Sequence, residues 1–308
     1  EYAAQVGNQK YTTVQEAIND AQPNSTVEII AQEAVTEDLT ISKNLTIAGQ
    51  GKDTTVLKGK ITVYGCTAEL KDLRVENNTA TAYGTALITF PAAQAAADVT
   101  FTNCTVYDND TAFRLESEGS SLTLDHTDVT GAAHYGVGLR NENQTLTVNG
   151  GSITGWGAVM TSAGSLPDGT EDSGTKIEIS GAKIVATEGA SGGYYGAIVL
   201  QESYHGVELT IRDSEVIGEG LHTAALDIRA YGSTIMVENS TLRADSLIYG
   251  TPDGETGQPG YYGPVTLSHN ATYEKVYTTA ADAPETAVIL DAATSVECKP
   301  MSEGGTYP

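Results

Sequence analysis

An eight-residue phrase recurs along the chain, and it limits the possible folds more than any other feature. Leu209-Thr-Ile211-Arg-Asp213-Ser-Glu-Val216 has the same form as Val99 to Val106, Leu122 to Val129, Leu146 to Ile153, Ile177 to Ile184 and Ile235 to Leu242. Two apolar residues flank a polar one, a turn-type residue follows two places later, and another apolar residue three places after that. The leading apolar pairs fall at 45/47, 68/70, 99/101, 122/124, 146/148, 177/179, 209/211, 235/237 and 265/267, so the spacing runs from 23 to 32 residues. Alternation with period two is a strand signature. A fixed unit of this length, repeated many times, means a stacked solenoid whose loops vary in length.

The turn-type column reads Gly49, Asp72, Asn103, His126, Gly150, Gly181, Asp213, Asn239 and His269. Gly, Asn and Asp tolerate positive φ, so the column predicts one tight bend at the same point of every coil. A second motif lies between the repeats: Tyr83-Gly-Thr-Ala-Leu-Ile, Thr111-Ala-Phe-Arg-Leu, Tyr135-Gly-Val-Gly-Leu, Trp156-Gly-Ala-Val-Met, Tyr195-Gly-Ala-Ile-Val-Leu and Thr223-Ala-Ala-Leu-Asp-Ile. Each coil therefore carries about three short strands. Residues 11–22 form the one convincing helix, with Val14, Ala17, Ile18 and Ala21 on a single face. Thr13 and Glu16 supply a capping box, and Pro23 ends the helix.

A leucine-rich horseshoe lacks support, because its Leu and Asn spacing is missing, and propeller blades need about 40 residues each. The expected fold is all-β: a right-handed single-stranded parallel β-helix of about nine coils with an N-terminal capping helix. The expected organisation is one domain over 1–308, with a cap and first strands at 8–48, regular coils at 49–273 and a C-terminal cap or tail at 274–308. Ala287 to Leu290 is the candidate for a last strand covering the C-terminal end.

The repeat columns, the helix Thr13 to Ala21 and the segment Leu39-Thr-Ile-Ser-Lys-Asn-Leu-Thr-Ile-Ala-Gly49 together resemble the right-handed parallel β-helix (pectin-lyase-like) superfamily, over roughly residues 8–273. The resemblance implies a helix that caps the open end of the solenoid. It implies no single activity, since the superfamily includes lyases, hydrolases, adhesins and non-catalytic surface proteins. Polygalacturonase-like relatives carry Asn-Thr-Asp, Asp-Asp, Gly-His-Gly and Arg-Ile-Lys motifs, and none occurs here. Pectate-lyase relatives hold calcium on clustered Asp, and no outward row here stacks three of them.

Chemistry is then sought where the repeat permits variation. In a β-helix the outward positions of the second motif form rows: Glu116, Arg140, Thr161, Gln201 and Arg229 in one, Arg114, Gly138, Val159, Val199 and Asp227 beside it, with Glu118 and Glu142 two places on. Tyr135, Trp156 and Tyr195 precede these strands. Aromatic faces beside Arg and carboxamides are what a sugar-binding groove needs. The competing reading is a solvated sheet face with incidental ion pairs. Candidate ligand-binding residues are therefore Glu116, Arg140, Glu142, Trp156, Tyr195, Gln201, Glu202, Asp227 and Arg229; Glu202 and His205 form a possible acid–base pair. His134 reads as exposed, and His126 and His269 as bend residues. No histidine pair has zinc spacing. No cofactor is expected, with calcium left open at Asp168, Glu171 and Asp172. Cys66, Cys104 and Cys298 read as buried free thiols.

Forty acids against 16 Lys and Arg give a net charge of −24, which disfavours nucleic acid and anionic lipid. No run of 18 apolar residues is present, and Glu1 stands first. These features fit an exported, monomeric bacterial protein, secreted or at the cell surface. The expected function is non-catalytic binding of carbohydrate or a host surface. The alternatives are a polysaccharide lyase or glycoside hydrolase acting on an acidic polysaccharide, and a structural spacer in a larger surface protein.

Overall fold

The computed structural model describes residues 1–77, 85–162, 172–187, 195–201, 205–219, 223–228, 230, 232–244, 246–249, 265–268 and 286–298. Within these residues the chain winds through three parallel ladders of strands. The first ladder contains Ser25–Ile29, Leu45–Ala48, Thr67–Lys71, Asp98–Thr102, Ser121–Asp125, Thr145–Asn149, Lys176–Ser180, Glu208–Arg212 and Thr234–Glu238. The second runs from Val35–Thr36, Val56–Lys58 and Arg74–Glu76 through Thr105–Asp108 to Lys183–Ala186, Glu215–Gly218, Thr241–Ala244 and Ser295–Cys298. The third runs from Leu39–Ile41 and Ile61–Val63 through Ala86–Phe90 and Thr111–Leu115 to Tyr195–Leu200, Thr223–Ile228 and Ser246–Tyr249. The long strands Asp128–Leu139 and Ser152–Thr161 pass from the second ladder into the third.

The repeat dictates this register. Ala68, Val99, Leu122, Leu146, Ile177, Leu209 and Ile235 pair in sequence along the first ladder. Their side chains and the alternate residues beside them fill one continuous core, in which Phe101 meets Phe113 edge to face at 5.1 Å. The bend column behaves as its residue types require: Asp72, Asn103, His126, Asp213 and Asn239 have φ between 44° and 55°, and Gly150 and Gly181 are also positive. Neighbouring bends are linked, since the Asn103 amide donates to Asp72 Oδ1 and that of Asn239 to Asp213 Oδ1, both at 2.6 Å. Gly49 does not share the positive φ, and His269 lies outside the described residues.

The N-terminal helix is Val14–Asp20, shorter than the expected 11–22, with the Thr13–Glu16 capping box formed and Val14, Ala17 and Ile18 buried. Its first free amides, Val14 N and Gln15 N, donate to the Glu37 carboxylate at 2.7 and 3.0 Å. An anion there complements both the open donors and the helix dipole. The helix packs on Ala4–Val6, Ser25–Ile29 and Leu39–Ile41, across the first coil.

The C-terminal order differs from the expected one. Thr286–Leu290 pairs directly with Thr234–Glu238, and Val265–Ser268 lies outside it. Val265–Ser268 alternates and Ala287 to Leu290 is an unbroken apolar run, and neither pattern states which of the two pairs with the preceding coil. Cys66 and Cys104 are buried free thiols; Cys104 Sγ lies 3.4 Å from Leu70 O, and burial pushes the thiol up to about 11. The Cys298 side chain lies outside the described residues.

Candidate functional site on the third ladder

The outer row of the third ladder is Thr40, Thr62, Thr89, Arg114, Gly138, Met160, Val199, Asp227 and Tyr249. Met160 takes the place expected for Val159, which turns inward to the core. Expectation and structure differ because the third-ladder segment of this coil is one residue longer than the motif alignment assumed. Although Met160, Val199 and Asp227 point away from the core, each is fully buried. Val185 and Ile217, outward on the second ladder, are also buried. The floor of the outer face is buried at these positions, while Arg114, Glu116, Tyr135, Arg140, Trp156 and Gln201 around it are half-buried.

The rim beyond this floor carries Glu116, Arg140, Ser162 and Gln201. Ser162 replaces the expected Thr161, which faces inward, is fully buried, and accepts from Gln201 N through its hydroxyl at 3.3 Å. Glu116 lies between two guanidinium groups: its Oε1 is 2.9 Å from Arg114 Nε and 3.7 Å from Arg140 Nε. The Gln201 amide rests on Met160 Sδ at 3.7 Å. Gln144, fully buried, braces this corner from below. Its carbonyl accepts from Arg140 N at 2.9 Å and Asn141 N at 3.2 Å, while its amide donates to Leu115 O at 3.0 Å and Ser117 O at 2.8 Å. A buried amide with every group satisfied fixes the backbone around it. No pattern in the sequence singled out Gln144.

The opposite edge of the floor is an aromatic corner. His134 stacks on Tyr135 with centroids 3.6 Å apart, and Trp156 meets His134 edge-on at 6.4 Å. Tyr135 pairs with Gly157, one step from the position shared by Trp156, because Asp128–Leu139 changes register between Gly131 and Tyr135. The Tyr135 ring lies across two glycines. A Cβ on Gly138 would be 3.5 Å from Tyr135 Cδ2, and one on Gly157 would be 3.7 Å from Tyr135 Cδ1 and 3.5 Å from Met160 Cε. A methyl group at either position would meet the ring at ordinary van der Waals distance.

His134 is not exposed as expected but 7% accessible. Its Nδ1 is 3.3 Å from Thr111 Oγ1 and 3.7 Å from Asp110 Oδ1. Burial pushes the imidazole down to about 4, and the charges of Arg114 and Arg140 push the same way, so it is neutral at pH 7. Asp110 is nearly buried and Asp108 fully so. Asp108 Oδ1 accepts from Asp110 N at 2.7 Å, at a corner where the next coils carry Gly131 and Gly155. Asp108, Asp110, Thr111 and His134 were missed as site residues. The available signal was a polar Asp-Asn-Asp-Thr run where neighbouring coils carry glycine.

Of the predicted residues, Glu116, Arg140, Trp156, Gln201 and Asp227 fall on this one face, with Asp227 buried in its floor. Glu142 is half-buried on the turn beyond the rim, where its carbonyl accepts from Gly119 N at 3.0 Å. Glu202 and Arg229 lie outside the described residues, as does the Tyr195 side chain. Of the calcium candidates, Asp168 and Glu171 also lie outside them, while Asp172 is exposed and its Oδ1 accepts from Gly174 N at 2.9 Å. Among the described residues, no group of three or more His, Cys, Asp or Glu is placed to hold a metal, and no helix is long and apolar enough to cross a membrane.

The family described as "Right handed beta helix region" matches residues 5–167, more than half of the chain. The chain belongs to this family. The matched span of the right-handed β-helix includes the Asp108–His134 corner, the Glu116 rim and Trp156. No curated protein matches the sequence. Similar solved structures include a pectin methylesterase in complex with a hexasaccharide (13% identity, covering 79% of this chain and 77% of that one, TM-score 0.43). Another is ORF18 of Geobacillus virus E2 (11%, 92% and 57%, 0.47). A third is the A-module of the Azotobacter vinelandii mannuronan C-5 epimerase AlgE4 (12%, 94% and 93%, 0.44).

Proposed function

We propose that this β-helix binds carbohydrate on the outer face of its third ladder, as a non-catalytic protein exported to the cell surface. One observation carries the reading: the His134–Tyr135–Trp156 corner stands beside the polar Arg114–Glu116–Arg140 wall. A pyranose needs a flat apolar surface for its C–H face and charged or amide groups for its hydroxyls, and this face offers both. The acidic composition fits a soluble exported protein and argues against nucleic acid as the ligand. A glycan array with the purified chain tests the reading. Trp156→Ala is expected to weaken every hit by about tenfold, the equivalent of losing one stacking contact. Hits that survive this change undiminished place the binding elsewhere.

A second reading, a polysaccharide hydrolase or lyase on the same face, is favoured by the nearly buried Asp110 carboxylate beside the neutral His134. The imidazole is unprotonated at neutral pH, although burial makes it a weaker base than an ordinary histidine, and the carboxylate beside it can orient the ring. Incubation with neutral and uronic-acid polysaccharides, following reducing ends and the ultraviolet absorbance of unsaturated products, separates the readings. Turnover abolished by His134→Gln establishes the enzyme. Binding without turnover retains the non-catalytic protein.

A further inference from the structure

A cavity of about 270 Å³ lies at the N-terminal end of the solenoid, where Tyr2, the turn before the helix and the bend leading into Val35–Thr36 meet. It approaches the size of small-ligand sites, which begin at about 300 Å³. Ala31, Ala34 and Val35 give it an apolar wall, Tyr2 adds an aromatic ring, and Glu33 and Glu37 add carboxylates. Among the described residues, no Lys, Arg or His lines it. Hydrogen bonds tie its walls together. Ala3 N donates to Tyr11 O at 2.9 Å, and Ala3 O accepts from Ile30 N at 2.9 Å and Ala31 N at 3.2 Å. Glu37 is fixed by the two helix amides that donate to it.

The surroundings select a positively charged occupant. Residues 1–40 hold seven Asp and Glu against one Lys, a steeper excess than the 40 against 16 of the whole chain. Glu33 is exposed, and its carboxylate meets no hydrogen-bond or ion-pair partner among the described residues. Tyr2 is 52% exposed, and its ring already receives one cation, since Lys10 Nζ stands 5.7 Å from the centroid. Lys10 does not itself line the cavity. Aromatic faces attract positive charge at that range. We infer that this cavity is a second binding site, for a small organic amine whose ammonium group meets Glu33 and whose carbon body lies against Tyr2, Ala34 and Val35. A bare metal ion suits it less, because the apolar wall offers no oxygen ligand. None of the lining residues belongs to the third ladder, so the inference is independent of the glycan-binding reading.

The probe is cadaverine, with pentanediol and glutarate as neutral and anionic molecules of similar length. Each is titrated calorimetrically into the full chain in about 0.15 M salt, where attraction by distant charges is screened. Cadaverine should bind at least about tenfold more tightly than pentanediol, and glutarate should not bind. Glu33→Gln and Tyr2→Ala should each weaken cadaverine about threefold to fivefold, while Tyr2→Phe, which keeps the ring, should bind like the wild type. Glu178→Gln, an equal loss of charge on the exposed first ladder, should change nothing. Melting curves control for folding. A wild type that does not bind cadaverine, or that binds pentanediol as tightly, overturns the inference. So does an equal effect of Glu33→Gln and Glu178→Gln, which would mean diffuse attraction by the net charge of −24. Calcium bound more tightly than cadaverine, and unaffected by Tyr2→Ala, would overturn it in favour of a metal site.

Discussion

The first and third ladders of this solenoid differ on their outer faces. Along the first, Thr46, Glu69, Thr100, Thr123, Thr147, Glu178 and Thr210 stack in register, and all are partly or fully exposed. Along the third, the equivalent outward row begins with Thr40, Thr62, Thr89 and Arg114, exposed or half-buried, but its later members Met160, Val199 and Asp227 are all fully buried. One face is wetted β-sheet whose threonines follow from strand propensity. The other buries apolar atoms and a carboxylate outside the core, at a desolvation cost that regular coil packing does not require. Variation in the second motif is concentrated where the outer surface is specialised.

The largest test asks whether the two ladders differ on the inside as well. Phe101 and Phe113 come from different ladders and pack edge to face, so the core beneath them is shared. Phe113→Ala should cost about 3–5 kcal/mol in chemical denaturation, in a single transition. Two transitions would mean that the ladders are separate units and that the comparison is drawn at the wrong level.

The next effect belongs to the third ladder's corner. His134 is held neutral, at about 4 against an ordinary 6.5, so the unfolded chain takes up its proton first. Stability is complete above about pH 6.5, falls as the pH drops towards about 4, and levels off below that, a loss of up to about 3 kcal/mol. His134→Gln should remove that part of the acid limb in pH-dependent melts. Parallel curves for the two proteins would show that the imidazole is not buried in its neutral form.

Smaller effects separate the faces directly. A Cβ on Gly131 would collide with the carbonyl oxygen of Tyr135, so Gly131→Ala should cost about 1–3 kcal/mol and shift the aromatic corner. Thr123→Ala, on the first ladder, should change stability by less than about 0.5 kcal/mol and leave binding untouched. Equal effects at these two positions would erase the distinction.

Much of this architecture was legible in the sequence because it is periodic. Paired apolar residues specified the first ladder, and the bend column predicted positive φ at Asp72, Asn103, His126, Asp213 and Asn239. The site was legible only in part, for a local reason. Where coils change length, as at Gly131 to Tyr135, counting along the motif slips by one residue, exchanging Ser162 for Thr161 and Met160 for Val159. His134 was misread for the same cause: its burial arises from a register shift that leaves no periodic trace. Gln144 and Asp110 act through contacts between coils, which a single sequence does not display. The pairing of Thr286–Leu290 ahead of Val265–Ser268 has no signal in alternation either.

Trp156 offers the most direct test of the central claim, because it is the chain's only tryptophan and stands in the aromatic corner. Titration with a glycan identified on the array should change its emission saturably, with the same Kd as calorimetry. Trp156→Phe should silence the signal and keep weakened binding. Calorimetric binding that leaves Trp156 emission unchanged, with Trp156→Ala binding at full strength, would contradict the placement of the site on the third ladder.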